Sequence, residues 1–336
     1  MERALHELAN KHPEIEVSEP QLTEIPALQW DDALPEQEYA AKHVSESLIR
    51  RLGDRWDIGS YSSLAHGQSG AERPFDWKLI DAESFVGDAG SEQSQEPSLQ
   101  LPRGARFGTF LHSIFEEIDF AISGPKLREY LLQKLASEGM EPELCEPMAQ
   151  MVEGVLHCPL QSGLSLAALP SEDRLVEMEF WLPVAELDAR SLSQLCRRYD
   201  PLSREGEGLS FRQLKGMLKG FIDLTFRFEG RYYLLDYKSN YLGDEEEAYH
   251  PDRLGEAMLA HRYDLQYQLY ALALHRMLKQ RIADYDFERH FGGVYYLFAR
   301  GMTPNHPELG VFHCRPCAEL VEGLDALFAG AELGEV

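Results

Sequence analysis

The sequence predicts an α/β fold with a mixed central sheet flanked by helices. Three observations predict it. Helical patterns run first, a cluster of strand patterns with a two-residue turn follows, and then come more helices and one further apolar strand. The composition suits such a core. Of 336 residues, 44% are hydrophobic and 26% charged, which excludes whole-chain disorder. There is no 18-residue apolar run, so no membrane span is expected. Met1-Glu2-Arg3-Ala4-Leu5-His6-Glu7 lacks the pattern of a secretory leader. Five cysteines, an odd and sparse number, do not make a disulfide framework and fit a reducing cytoplasm. Cys314-Arg315-Pro316-Cys317 is a CxxC, but no second pair completes a zinc set. No internal repeat and no phosphate-binding loop occur, so ATP hydrolysis has no support in this chain.

Taken in order, Pro35 to Arg51 predicts a helix, with Pro35 in its first turn and a stripe of Ala40, Val44 and Leu48. Gly87 to Pro97 is rich in Gly, Ser, Glu and Gln and predicts a flexible linker within residues 66–104. Phe107–Ile122 is a strongly apolar helical pattern, and two further helices are expected over 125–137 and 142–157. Arg174–Val184 alternates Val176, Met178 and Phe180 against Glu177 and Glu179, a strand pattern. A helix is expected near 186–197. Strands over 217–228 and 231–238 follow, then helices over 251–260 and 263–280, a buried strand Phe291–Phe298, and a last helix over 316–329.

The chemistry lies in the hairpin from Gly220 to Asn240. Alternation puts Ile222, Leu224, Phe226 and Phe228 on one face, and Phe221, Asp223, Thr225 and Arg227 on the other. Glu229-Gly230 has the length of a two-residue hairpin loop, with Gly available for a positive φ. That register pairs Phe228 with Arg231 and sets Asp223 opposite Asp236. Opposed like charges are disfavoured, so the two carboxylates need a cation between them, or one holds a proton. A hard divalent ion such as Mg²⁺ resolves the conflict through oxygen ligands. Lys238 leaves the same face as Asp236. Two acids and a lysine can hold a metal, activate water and stabilise phosphoryl charge. A solitary D-x-K in a strand is more often a solvated face, but Leu234 and Leu235 precede Asp236, which argues against surface decoration. Gln266 and Tyr270 share a helical face beside a Leu265/Leu269/Leu272 stripe; an amphipathic helix with polar edges gives the same pattern. His112 shares a face with Glu116, away from Leu111, Ile114, Phe115 and Ile118, a position more often exposed or capped than ligating.

The order GTFLHSIFE, VEMEFWLP, MLKGFIDLTF, LLDYKSN, YDLQYQLYALALHR and FGGVYYLFARG resembles RecB-type C-terminal nuclease domains of the PD-(D/E)xK superfamily, across about residues 100–330. The resemblance implies a restriction-endonuclease-like core over 105–330. It implies that Asp223 is the first acid, that Asp236-Tyr237-Lys238 is the D-x-K, and that His112, Asp223, Asp236 and the Tyr237 carbonyl are metal ligands for Mg²⁺. Gln266 and Tyr270 match the QxxxY motif that positions substrate. Ile222 stands where the superfamily has Pro, as is common in RecB-like members. Only Cys314 and Cys317 follow the core, so no iron–sulfur cluster is expected. Residues 1–65, with WDIGSYSSL at 56–64, resemble the helical remnant where the helicase region ends. A helicase upstream, as in the full family protein, would make this chain a C-terminal portion. The implied activity is Mg²⁺-dependent cleavage of DNA in break repair, with RecC-like, RecD-like and RecA-like partners in the cytoplasm. A catalytically idle docking scaffold and a superfamily nuclease with another substrate are the alternatives.

The net charge of −25 bears on how DNA arrives. Residues 1–100 carry 8 Lys and Arg against 20 Asp and Glu, while residues 211–240 carry 6 against 3. Weak, salt-sensitive DNA binding is expected, with a partner feeding the strand to the site.

Overall fold

The computed structural model describes residues 57–60, 64, 101–211, 213–303 and 306–331. The helix expected over 35–51, nearly all of the expected 1–65 remnant and most of the 66–104 linker lie outside the described residues. Six strands form one mixed sheet: β1 (Asp57–Ser60), β2 (Arg174–Leu187), β3 (Leu214–Phe228), β4 (Arg231–Lys238), β5 (Phe291–Phe298) and β6 (Val311–Cys314). β2, β3 and β4 run antiparallel in succession, β5 joins β4 in parallel, and β6 closes the far edge. The short β1 pairs in parallel with Gly216–Lys219 of β3. Since β2 follows β3 along its length, β1 and β4 share the other edge of β3, one after the other.

Two helical layers cover the sheet. On one side lie α1 (Ala105–Glu117), α2 (Gly124–Ser137) and α3 (Cys145–His157), with Phe115, Leu131 and Val152 among their buried residues. On the other lie α4 (Ala189–Tyr199), the short α5 (Pro201–Glu205), α6 (Pro251–Ala260), α7 (Tyr263–Arg281), the short α8 (Phe287–His290) and α9 (Ala318–Phe328). Each apolar side chain buried between layers contributes about 1.5–3 kcal/mol over leaving it in water. No described helix is long and apolar enough to cross a membrane.

Most elements fall within three residues of their expected bounds, and three expectations need correction. α1 stops at Glu117, not Ile122, because Ile118 turns extended and Asp119 starts a turn capped by its own side chain. β2 and β3 also do not keep one face throughout. Leu214, Leu218 and Ile222 face the α7 side, whereas Leu224 and Phe226 face the α1 side. β2 inverts in step, with Met178 and Phe180 on the α7 side and Val176 against the other. The inversion falls where the ladder passes from Met178↔Ile222 to Val176↔Leu224, and Glu177 there takes a left-handed φ of 47°. Strict period-2 alternation cannot foresee such a twist. The third correction concerns the Asp223–Asp236 pair and belongs to the site. The hairpin register itself holds from Phe228↔Arg231 to Leu224↔Leu235, and Glu229 and Gly230 both have positive φ (49° and 78°), the geometry of a type I′ turn.

Burial shifts the titration of one packed histidine in a way that stability reports. His275 of α7 is buried, faces the Tyr285 hydroxyl at 3.1 Å and packs on Phe287. Burial pushes its pKa below the usual value; Asp325 pulls it up, but Lys279 and Arg276 add to the depression. The unfolded chain therefore takes up a proton near pH 6.5 that the folded chain refuses. Stability should fall as pH drops below 6.5 toward the folded pKa. Melting curves of the native chain and of His275→Phe between pH 5 and 7.5 should show the smaller pH dependence in the variant; parallel curves would disprove this.

Candidate active site

The site forms where β3 and β4 part. Their ladder ends at Leu224↔Leu235, one step short of the expected Asp223–Asp236 pair. Instead, an Asp223 carboxylate oxygen accepts the backbone N–H of Tyr237 at 2.8 Å. The step at which both strands invert thus aims Asp223 at the β4 backbone. Glu177 of β2 brackets the same step.

α1 brings His112 to this fork. Leu111, Ile114 and Phe115 bury one side of the helix, and the Phe115 ring stacks on Tyr237 at 4.2 Å. At Gly108 any Cβ would stand 3.1 Å from the Ser239 hydroxyl, so a side chain there would press on the end of β4. The close approach leaves His112 half-buried, with Nδ1 3.2 Å from Asp223 Oδ2. Burial raises the Asp223 pKa, but the His112 charge and hydrogen bond, the Lys238 charge and the Tyr237 amide outweigh it. The carboxyl ends below its ordinary range and is ionised at neutral pH.

Asp236 and Lys238, two residues apart, share the α7 side of β4. The Lys238 ammonium lies 2.6 Å from Asp236 Oδ1, with the side chains only 3% and 1% exposed. Tyr263 lies under the ammonium at 3.9 Å and Tyr296 at 5.4 Å. Tyr296 donates to Gln266 Oε1, and Gln266 donates to the Tyr270 hydroxyl, both at 2.9 Å. Gln266 and Tyr270 are buried and linked to Lys238 through Tyr296, so they are not the polar edge of an amphipathic helix.

Sequence reasoning missed this aromatic cradle. Tyr296 reaches Asp236 only through the parallel β4–β5 register, which a sequence does not reveal. Tyr263 had a signal, since it lies three and seven residues before Gln266 and Tyr270 on one helical face. Tyr263 also donates to Asn240 Oδ1, and Asn240 meets His261, which stacks on Tyr263.

Two carboxylates, an imidazole and a nearby main chain are chemically suited to a hard divalent cation. Among the described residues, no three His, Cys, Asp or Glu side chains already stand together as a preformed cage. The acids are instead held apart, Asp223 on His112 and Asp236 on Lys238. The residues fit a cation by the chemistry of their donors, while each carboxylate is charge-paired to a neighbouring basic side chain.

The PD-(D/E)XK nuclease superfamily profile matches residues 71–320. The chain is 47% identical over 293 residues to the RecBCD enzyme subunit RecB of Escherichia coli (strain K12), covering 87% of this chain and 25% of that protein. It is 39% identical over 240 residues to the Haemophilus influenzae RecBCD enzyme subunit RecB, covering 70% and 19%. Against the Mycobacterium tuberculosis (strain H37Rv) RecBCD enzyme subunit RecB the identity is 34% over 321 residues, covering 83% and 29%. The chain thus spans about a quarter of the length of these curated relatives. A profile that takes in both layers of the sandwich and the β3–β4 fork settles the assignment: the chain belongs to the PD-(D/E)XK nuclease superfamily.

Proposed function

We propose that this chain is the nuclease module of a RecBCD-type helicase–nuclease, a Mg²⁺-dependent deoxyribonuclease that cuts phosphodiester bonds during double-strand break repair and recombination. The observation that carries the reading is the buried Asp236–Lys238 pair beside the Asp223–His112 pair in a chain of this superfamily. His112, Asp223, Asp236 and the Tyr237 carbonyl would hold the cation. A bound divalent cation supplies Lewis-acid polarisation of the phosphoryl group and a more acidic water.

The chain's own residues do the rest. Asp223 is ionised at working pH and serves as a fixed negative ligand. Lys238 orients the attacking water and stabilises charge developing on the phosphoryl oxygens. Tyr263 and Tyr296 keep its ammonium in place. Gln266 and Tyr270, tied to each other and to Tyr296, position the strand. Assembly with RecC-like and RecD-like subunits is supported by the names of the relatives. Contact with a RecA-like recombinase and work in the bacterial cytoplasm follow from the family resemblance.

The test is cleavage of end-labelled single-stranded DNA by the native chain with Mg²⁺, the native chain with EDTA, and Asp236→Ala with Mg²⁺. Products are expected in the first reaction only, with the variant slowed on the order of 10³-fold or more. Equal products in all three would refute the reading. Capture of a recombinase by a chain with no metal-dependent cleavage would favour a docking scaffold, and preference for RNA would move the substrate class.

A further inference from the structure

Beyond the fork, the solvent side of the β2–β3 ribbon carries an unusual group. Trp181 is 44% exposed, one of few large apolar side chains in that state among the described residues. It is held firmly. Its indole Nε1 donates to Glu179 Oε1 at 2.8 Å, and Lys219 Nζ lies 2.9 Å from the same oxygen. The Lys219 ammonium stands 4.8 Å from the Trp181 ring and 4.9 Å from the Phe221 ring. An indole fixed by its N–H, yet offering its ring to solvent, is a contact surface already ordered.

The group points at the site. Trp181 pairs with Lys219 and Glu179 with Phe221 in the β2–β3 register. Along β3 the residues Lys215, Lys219, Phe221 and Asp223, four, two and two residues apart, follow on the side opposite the α7 core. At about 3.3 Å per residue, Lys219 is about 13 Å from Asp223. Glu179 and Lys219 neutralise each other, so the pair neither repels nor strongly attracts a phosphate and the grip rests on the rings.

We infer that Trp181 and Phe221, with Lys219 between them, form a stacking platform for unpaired bases of single-stranded DNA running along β3 into the Asp223 fork. This inference rests on the nuclease reading for its substrate. Every base has a π-face, so the exposed Trp181 ring beside the half-buried Phe221 ring can bind a single strand with little regard to sequence. A duplex keeps its bases stacked inside and cannot use the rings. Continuity along one strand with the cleavage site favours the polymer substrate over a protein partner.

The test uses the full chain carrying Asp236→Ala, in chelator, so that binding is read without cutting. Titration with a short oligothymidylate should quench part of the tryptophan fluorescence. Adding Trp181→Ala should weaken binding roughly five- to 100-fold, and Trp181→Phe should restore most of the affinity while losing the largest share of the quenching. Unchanged affinity in Trp181→Ala, with an unchanged melting curve, would overturn the inference. So would an equal loss of affinity for a blunt linear duplex, which has no unpaired bases to stack on the rings. A shift from dimer to monomer in sedimentation on Trp181→Ala, with DNA affinity intact, would assign the face to self-association instead. Trp181-dependent binding in a native chain that never cuts DNA would refute the nuclease reading and keep the platform; metal-dependent cutting with Trp181-independent binding would do the reverse.

Discussion

Lys238→Gln is expected to slow metal-dependent DNA cleavage by about 10²–10³-fold, the usual cost of removing one fixed charge-stabilising group from a water-poor site. The expectation has a structural counterpart that needs no activity measurement. Lys238 and Asp236 are both almost fully buried, and the ammonium pairs with that carboxylate at 2.6 Å. Removing one partner of a buried pair typically costs about 3–5 kcal/mol, because the other charge is left uncompensated. A divalent ion at Asp236 would replace the lost ammonium. The variant should therefore melt well below the native chain in EDTA, and Mg²⁺ should raise its melting temperature by more than it raises that of the native chain. Equal Mg²⁺ responses would separate Asp236 from the metal even if cleavage were lost.

The local rules that gave the sheet also explain where they stopped. The type I′ turn at Glu229-Gly230 depends on two adjacent residues, so the hairpin register was legible. The buried run Phe291–Phe298 was legible because a strand covered on both faces is apolar throughout. What was not legible needed two distant segments at once. Glu177 and Asp223 invert together although each sits in an ordinary alternating stretch. That shared twist converts a flat carboxylate pair into a carboxylate on the Tyr237 amide. His112 could be singled out only by family resemblance; spacing alone does not foresee that Phe115 stacks on Tyr237 and sets the imidazole beside Asp223. Gln266 and Tyr270 share a helical face as their spacing predicts, but their burial follows from β5 lying across them through Tyr296.

Asp200→Ala is the substitution outside the fork expected to do most damage. Asp200 is buried where α4 gives way to α5, and it caps α5 by accepting the Leu202 N–H at 3.0 Å. The same carboxylate accepts from the Tyr267 hydroxyl and from Gln268 Nε2 at 2.5 Å, both on α7. Ser203 has one hydroxyl proton, and its 2.7 Å contact to Asp264 claims it over the 3.1 Å contact to Asp200. Asp264 is in turn held by the Arg262 guanidinium at 3.0 Å. Alanine at 200 strands the Tyr267 hydroxyl and one of the two Gln268 N–H donors (the other reaches the Ser203 hydroxyl at 2.7 Å) in a buried site and removes a helix cap, a combined loss of about 3–5 kcal/mol. At about 2–4 °C per kcal/mol for a unit of this size, the melting temperature should fall by about 10 °C. Tyr267 and Gln268 adjoin Gln266 in sequence, so freeing them loosens the helix that carries the Gln266–Tyr270 pair. Cleavage at temperatures where the variant remains folded should then show a raised KM for DNA. Asp284→Ala, which removes only the exposed Arg289 pair, should leave melting and KM unchanged. A melting loss with native KM would show that the buried network stabilises the fold without positioning the helix that carries Gln266 and Tyr270.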